Sequence, residues 1–242
     1  MTKVQIIGES CTDIFVYCDA IRLAPDLPIP VLQENHIDTN PGMASNVLRN
    51  LQSRSIQSEL VTNKNWQSIT KTRYVHDTSN HTFFRVDTPF TVKPINKEEI
   101  SLESDILVIS DYNKGFLSEN DISFFCKSHP LVFLDTKKIL GTWAEDATFI
   151  KINSYEFKNS QNSLTKKLKE KIIVTRGANG CDYLGVNYPV ERFEIRDTSG
   201  AGDSFLAALV AEYLGGSSVI ESIKLANIAA SKVVRTRGVG II

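Results

Sequence analysis

Asp197-Thr198-Ser199-Gly200-Ala201-Gly202-Asp203 decides how this chain is read, because an apolar helix carrying Phe205, Leu206, Leu209, Val210 and Tyr213 follows it directly. Two glycines let backbone approach a ligand closely, and the free N–H groups of a first helical turn face the same point. Such a turn is an anion cradle suited to phosphate. An acid at Asp203 stands beside that cradle, where it could accept a proton from a hydroxyl attacking phosphorus. A plainer explanation stays open on the residues alone: acids favour helix N-termini through the dipole. Two other nucleotide motifs are excluded. A dinucleotide fingerprint needs Gly where Phe205 stands, and no GxxxxGK[ST] occurs anywhere.

Outward from this motif the chain alternates between strand and helix patterns. Strands are expected at 4–8, 105–110, 131–135, 148–153, 171–175 and 191–196. Helices are expected at 44–53, 119–127, 163–170, 202–214 and 219–235, the last capped by Ser217 or Ser218. The rhythm argues for an α/β fold with a mostly parallel sheet covered on both faces. Residues 22–42 are rich in proline, with an extended stretch at 31–37 that suits an edge or a lid. With two short strands at 72–76 and 82–87 around a turn at 77–80, it should form a small accessory sheet.

The 242 residues carry a net charge of −1 and 42% hydrophobic residues, an ordinary globular composition for one large α/β domain. That balance gives no reason to expect nucleic acid or a membrane surface as partner. No run is long and apolar enough to span a membrane, and the N-terminus reads as a buried strand, so a cytoplasmic location is expected. Cys11, Cys18, Cys126 and Cys181 show no CxxC pair and the four histidines are scattered. Reduced thiols are therefore expected in preference to a zinc site.

The Asp197–Asp203 motif resembles the C-terminal signature of the ribokinase family, the PfkB-type carbohydrate kinases. Asn40-Pro41-Gly42-Met43-Ala44-Ser45-Asn46-Val47 is similar to the family's N-terminal Gly-Gly-x-Ala-x-Asn-Val segment. Within the family the likeness is to the heptose-7-phosphate kinase group. It is carried by the lid segment Arg22–Val31, by Lys71-Thr72-Arg73, by Arg85-Val86-Asp87, and by Ser110-Asp111-Tyr112-Asn113-Lys114-Gly115.

The resemblance implies a ribokinase-like three-layer sandwich, one domain over 1–242, with lid strands from about 14–40 and 71–88. It implies phosphoryl transfer from ATP with Mg²⁺ to a sugar or sugar-phosphate hydroxyl, heptose 7-phosphate first among acceptors. Asp203 would be the base, and Gly200, Ala201 and Gly202 the anion hole. Asp13, Gly42 and Asn46 match sugar-binding positions. Asp111, Lys114 and Arg85 are further substrate candidates, the two cations for a substrate phosphate, although either cation also reads as a solvated charge. Asn153 and Glu156 match the Asn-x-x-Glu element that organises Mg²⁺, largely through water; a helix N-cap followed by an N3 acid looks the same. Thr175, Arg176, Gly177 and Asn227 match nucleotide-binding positions. A K⁺-type site near the anion hole would border Asp197 and Thr198, although Asp197 also reads as satisfying local backbone N–H groups.

Three departures stand out. Met43 replaces the second Gly of the N-terminal signature and would narrow the substrate pocket. The stretches before Lys71 and between Glu156 and Lys171 are short. A trimmed sheet exposes an edge, which together with the lid suggests a homodimer. The rival reading is a kinase-like protein that binds sugar or nucleotide without catalysis.

Overall fold

The computed structural model describes residues 3–191 and 197–242. The expected strand at 191–196 lies almost wholly outside those residues. Twelve strands are described: β1 Val4–Gly8, β2 Ser10–Leu23, β3 Pro30–Met43, β4 Ser58–Val61, β5 Thr70–His76, β6 Thr82–Asp87, β7 Ile106–Asp111, β8 Val132–Thr136, β9 Phe149–Asn153, β10 Ile172–Thr175, β11 Cys181–Tyr183 and β12 Val186–Tyr188. Six α-helices accompany them: α1 Ala44–Ser53, α2 Glu119–Ser128, α3 Ser154–Ser160, α4 Lys166–Lys169, α5 Ala201–Leu214 and α6 Val219–Val233.

The main sheet runs β12-β11-β10-β9-β8-β7-β1-β4, parallel from β10 to β4 and antiparallel at β11 and β12. Its strands are short Val/Ile/Leu-rich runs, as expected where both faces are covered. The period of two sorts their side chains. Val4, Ile6, Ile106, Val108 and Phe133 pack under α1, α5 and α6. Ile7, Leu107, Ile109, Leu134 and Ile150 pack under α2 on the opposite face. Helix α5 is buried nearly all round, from Asp203 to Val210, because sheet, α1 and α6 enclose it.

The second sheet has the order β3-β2-β5-β6. Its register sorts the two faces by chemistry. The rows Asp38–Phe15–Arg73–Arg85 and Asn40–Asp13–Lys71–Asp87 cross all four strands on one face. The rows Ile37–Val16–Tyr74–Phe84 and Thr39–Ile14–Thr72–Val86 cross on the other. One face is thus charged and the other largely apolar. The proline-rich segment is the edge strand β3, where Pro41 removes no interior ladder bond.

The sequence expectations differ from the structure at several points. The helix expected at 163–170 is only α4, capped by Thr165; of its residues only Leu168 is buried, so it lacks an apolar face to dock. Helix α3 was not expected, yet Asn153 and Glu156 form a reciprocal capping box that starts it. The fourteen-residue β2 was visible only as part of a lid. Between β4 and β5 a single 3₁₀ turn, Trp66–Ser68, replaces any longer passage. Met43 has φ 60° and ψ −131°, backbone that favours glycine. Its side chain packs in the core cluster with Ile7 and Ile69, so its cost is backbone strain of about 1–3 kcal/mol.

Gly8 ends β1 against β7, and a Cβ there would stand 2.0 Å from the Ser110 carbonyl oxygen. Gly8→Ala should force the two strands apart and destabilise the fold by about 2 kcal/mol or more. Urea unfolding should show a lower midpoint at unchanged m-value.

Candidate active site

The turn before α5 is built by local chemistry. Asp197 Oδ1 accepts a hydrogen bond from the Ser199 N–H at 2.8 Å, closing an Asx turn. Gly200 then takes φ 75° as the N-cap of α5, a conformation that suits glycine. No side chain caps this helix, and the Ala201 N–H donates to the Thr198 carbonyl at 3.3 Å, so the Gly202 and Asp203 N–H groups are the ones open to an anion. Space is tight at Gly200, and at Gly202 a Cβ would press only on the end of a lysine side chain. A Cβ on Gly200 would lie 2.7 Å from Asn46 Nδ2, and one on Gly202 would lie 3.0 Å from Lys151 Nζ.

Asp203 is buried in the first turn of α5. Its Oδ2 accepts from Asn46 Nδ2 at 3.1 Å, and its Oδ1 from the Tyr112 hydroxyl at 2.5 Å. Burial pushes its carboxyl above the usual range, outweighing those two donors. Asn46 therefore does not cap α1: it lies inside that helix and reaches across to α5.

Around this carboxylate the first group of candidates gathers from the charged face of the small sheet. Asp13 Oδ1 accepts from Arg73 Nη1 at 2.8 Å, and Arg73 lies over the Phe15 ring. Gly42 permits the close approach of Asp13, since a Cβ there would be 2.3 Å from Oδ2. Lys71 Nζ is 5.2 Å from the Tyr112 ring centre. Burial pushes the nearby Cys11 thiol up to about 12, so it is a neutral wall group. Arg85 shares the face of Arg73 but is half-exposed and paired with Asp87 at 2.7 Å. Lys114 lies 6.0 Å from the Phe90 ring centre. Asp111 joins neither group by contact; it is held by Lys138 Nζ at 2.9 Å and by the Thr136 hydroxyl.

On the other side of the α5 turn lies a cavity of about 450 Å³. Thr198, Ala201 and Gly202 line one end, and Asn153, Thr175, Gly177 and Asn227 line others. Arg176 points away and pairs with Asp182. Asn227 donates to the Tyr188 carbonyl at 2.9 Å. The cavity holds two lysines that the sequence motifs did not single out. Lys151 Nζ pairs with Asp135 Oδ2 at 2.7 Å, and Lys137 Nζ pairs with Glu156 Oε1 at 2.7 Å. Burial alone would raise the Asp135 carboxyl, but the ammonium groups of Lys151 and Lys137 hold it below the usual range. Asp135 Oδ1 is buried without a hydrogen-bond partner. No sequence signal marks Lys151, because a lysine in a strand ordinarily reads as solvent-facing.

Among the described residues no three His, Cys, Asp or Glu side chains converge on a metal position. The donor set fits a hard cation that keeps its waters: the Glu156 carboxylate and the Asn153 amide, with Asp135 Oδ1 lacking a hydrogen bond and 3.7 Å from Lys137 Nζ. Glu156 is meanwhile engaged by the Asn153 N–H and by Lys137, so capping and any cation organisation use one carboxylate.

Comparison with known proteins agrees with this layout. The family model described as pfkB family carbohydrate kinase matches residues 122–242. The bifunctional protein HldE of Hyphomonas neptunium is 30% identical over 291 residues, covering 95% of this chain and 59% of that protein. The chain spans about three fifths of the length of the curated relatives it matches. The aligned stretch exceeds the chain's own 242 residues, so that relative carries segments missing here. A nucleoside kinase of Methanocaldococcus jannaschii, titled an archaeal member of the ribokinase family, superposes with TM-score 0.72 at 17% identity, over 98% of this chain and 93% of that one. The Arabidopsis thaliana ribokinase complexed with ribose and ATP gives TM-score 0.68 at 14% identity, over 99% and 95%. The three-layer ribokinase fold is therefore that of this chain. No described helix is long and apolar enough to cross a membrane.

Lys151→Met would leave Asp135 buried without its nearest cation, at a cost of up to about 3–5 kcal/mol. In the wild type the depressed Asp135 pKa contributes stability above the unfolded carboxylate range, lost as pH falls through the folded value. In the variant, burial raises that pKa instead. The deficit measured by thermal or urea unfolding should therefore be small near pH 3 and grow towards pH 7.

Proposed function

Because the chain belongs to the pfkB family of carbohydrate kinases, we propose that it transfers the γ-phosphoryl group of ATP to the anomeric hydroxyl of heptose 7-phosphate. One observation carries the reading: a buried carboxylate, Asp203, stands in the first turn of α5, between the Asn46 side chain and a cavity lined by Lys137 and Lys151. The acceptor hydroxyl is oriented by Asp13, Asn46 and the backbone at Gly42, and gives its proton to Asp203 as its oxygen attacks phosphorus. The N–H groups of Gly200 and Gly202, and that of Ala201 once it leaves the Thr198 carbonyl, meet the transferring oxygens, where charge grows in the transition state. Lys137 and Lys151 sit at the same end of the cavity and oppose that charge. Thr175, Gly177 and Asn227 border the space for the rest of the nucleotide, while Arg176 is turned aside to Asp182.

Asn153 and Glu156 would hold Mg²⁺ through its waters, and the ion would supply neutralisation of phosphate charge. A K⁺ ion bordered by Asp197 and Thr198 belongs to the same reading. Support for a phosphorylated acceptor comes from the cations on the small sheet and the following loop, Lys71, Arg73, Arg85 and Lys114. Support for heptose comes from the HldE relatives and from the lid and Lys-Thr-Arg segments that resemble the heptose kinase group. The small sheet acts as a lid on a single kinase domain, and the protein works in the cytoplasm.

The test is ADP release from Mg²⁺-ATP against heptose 7-phosphate, mannose, fructose, fructose 6-phosphate, ribose and adenosine. Heptose 7-phosphate should give the highest kcat/KM. Asp203→Asn should lower kcat by about 10²–10⁴-fold with bound nucleotide retained. Activity fading as pH falls should trace Asp203, with its limb above the ordinary carboxylate range because burial raises that pKa.

A homodimer through the lid is part of the same proposal. Ile37, Phe84 and Val86 are about half exposed on the apolar face, and Leu23, Leu27 and Ile29 extend the exposed apolar surface near the β2–β3 turn. A contiguous patch of this kind is what an association surface leaves uncovered. Light scattering should give twice the chain mass for the wild type and the single mass for Ile37→Lys with Phe84→Glu.

A further inference from the structure

Tyr112 touches the carboxylate that this reading makes the proton acceptor, and the glycine-rich motif does not account for it. Its hydroxyl lies 2.5 Å from Asp203 Oδ1, the shorter of that carboxylate's two contacts. Its ring is approached by two ammonium groups, Lys71 Nζ at 5.2 Å and Lys137 Nζ at 5.4 Å from the centre. Its backbone is fixed with equal care. Glu9, wholly buried, accepts from the Tyr112 N–H at 2.8 Å through Oε2, and from the Lys114 and Phe116 N–H groups through Oε1. One buried carboxylate thus holds the loop, the loop holds the phenol, and the phenol holds the second carboxylate.

From this chain of contacts we infer that Tyr112 is a positioning residue for phosphoryl transfer: its phenol keeps Asp203 ionised and aimed at the acceptor, and Glu9 holds Tyr112 in register. The inference rests on Asp203 being the base. The proton stays on the phenol, because burial and the adjacent carboxylate both oppose its ionisation. A phenol donor bonds a carboxylate more strongly than a neutral acid, so it favours the form that can receive a proton. Other groups act on Asp203 from every side. Asn46 on α1 also donates to it, Lys151 on β9 favours its ionised form, and Asp135 on β8 opposes it. Lys137 and the neutral Cys11 thiol lie within its field.

The experiment compares full-length wild type, Tyr112→Phe and Asp203→Asn. Aspartate ¹³Cγ NMR follows the Asp203 titration, assigned by its loss in Asp203→Asn, and needs no acceptor. In Tyr112→Phe the Asp203 midpoint should move up by roughly one pH unit. With heptose 7-phosphate as acceptor, kcat at pH 7 should fall by about 10–100-fold while KM changes little, and the acid limb should shift upward with the NMR midpoint. A protein carrying 3-fluorotyrosine at 112, a stronger donor of nearly the same shape, should shift both downward. It also serves if Tyr112→Phe does not fold. An unmoved midpoint overturns the inference even if kcat falls, since a merely structural tyrosine would slow turnover without touching the titration. A rise in kcat with a lower KM also overturns it, and makes the phenol a plug in the acceptor's place. Full activity in Asp203→Asn would instead sink the base reading itself. An inactive Asp203→Asn beside an unshifted Tyr112→Phe sinks this inference alone.

Discussion

A carboxylate taken out of water must find donors, and Asp203 draws its two from distant parts of the chain: Asn46 on α1 and Tyr112 after β7. These bonds tie α5 to α1 and to the carboxyl end of the main sheet. They fix the glycine turn at 200–202 in the same act, because Gly200 packs against the same Asn46 amide. The crevice beyond the strand ends is where open α/β sheets present ligands, and here the α5 N-terminus divides it. In the proposed reaction, acceptor and nucleotide approach one carboxylate from opposite sides of that turn.

The small sheet solves a different problem with the same period-two rule. A sheet of four strands has two faces, and only one can serve the site. Asp13, Lys71, Arg73 and Arg85 fall in register on the site side, while Ile37, Tyr74, Phe84 and Val86 fall on the other. A one-residue slip of any strand would exchange the two sets, so register is strongly specified. The long pairing of β2 with β3 and the β2–β5 ladder supply that specification.

The departures from the family pattern have local physical consequences. Met43 accepts backbone strain and is compensated by burial of its side chain in the core. The shortened passage before β5 is closed by Asn63, whose Oδ1 accepts from the Ser10 N–H at 2.9 Å. In the cavity beside the α5 N-terminus, Lys151 and Lys137 concentrate positive charge, with Asp135 and Glu156 keeping both ammonium groups in place. Such a pair of bridges gains little net stability but positions charge without later reorganisation.

The sequence by itself determined what depends on near neighbours. The strand–helix rhythm, the span of α1, the cap of α6, and the glycine-bearing turn at 197–203 follow from periodicity, capping and glycine. Those signals act within a few residues. Resemblance then selected Asp13, Gly42, Asn46 and Asp203, and the structure brings Asn46 to Asp203 and Asp13 to Gly42. Sequence leaves helix α3 unassigned because Asn-x-x-Glu reads equally as a helix cap and as a cation-organising pair, and the structure shows the capping box. What only tertiary structure decided is which polar side chains leave water. Lys151, Asp135, Glu9 and Tyr112 look like surface residues in a linear reading, yet each is buried or drawn into a buried pair by partners far along the chain. The free energy of a polar group depends on who surrounds it, and that is settled by packing, not by its neighbours in sequence.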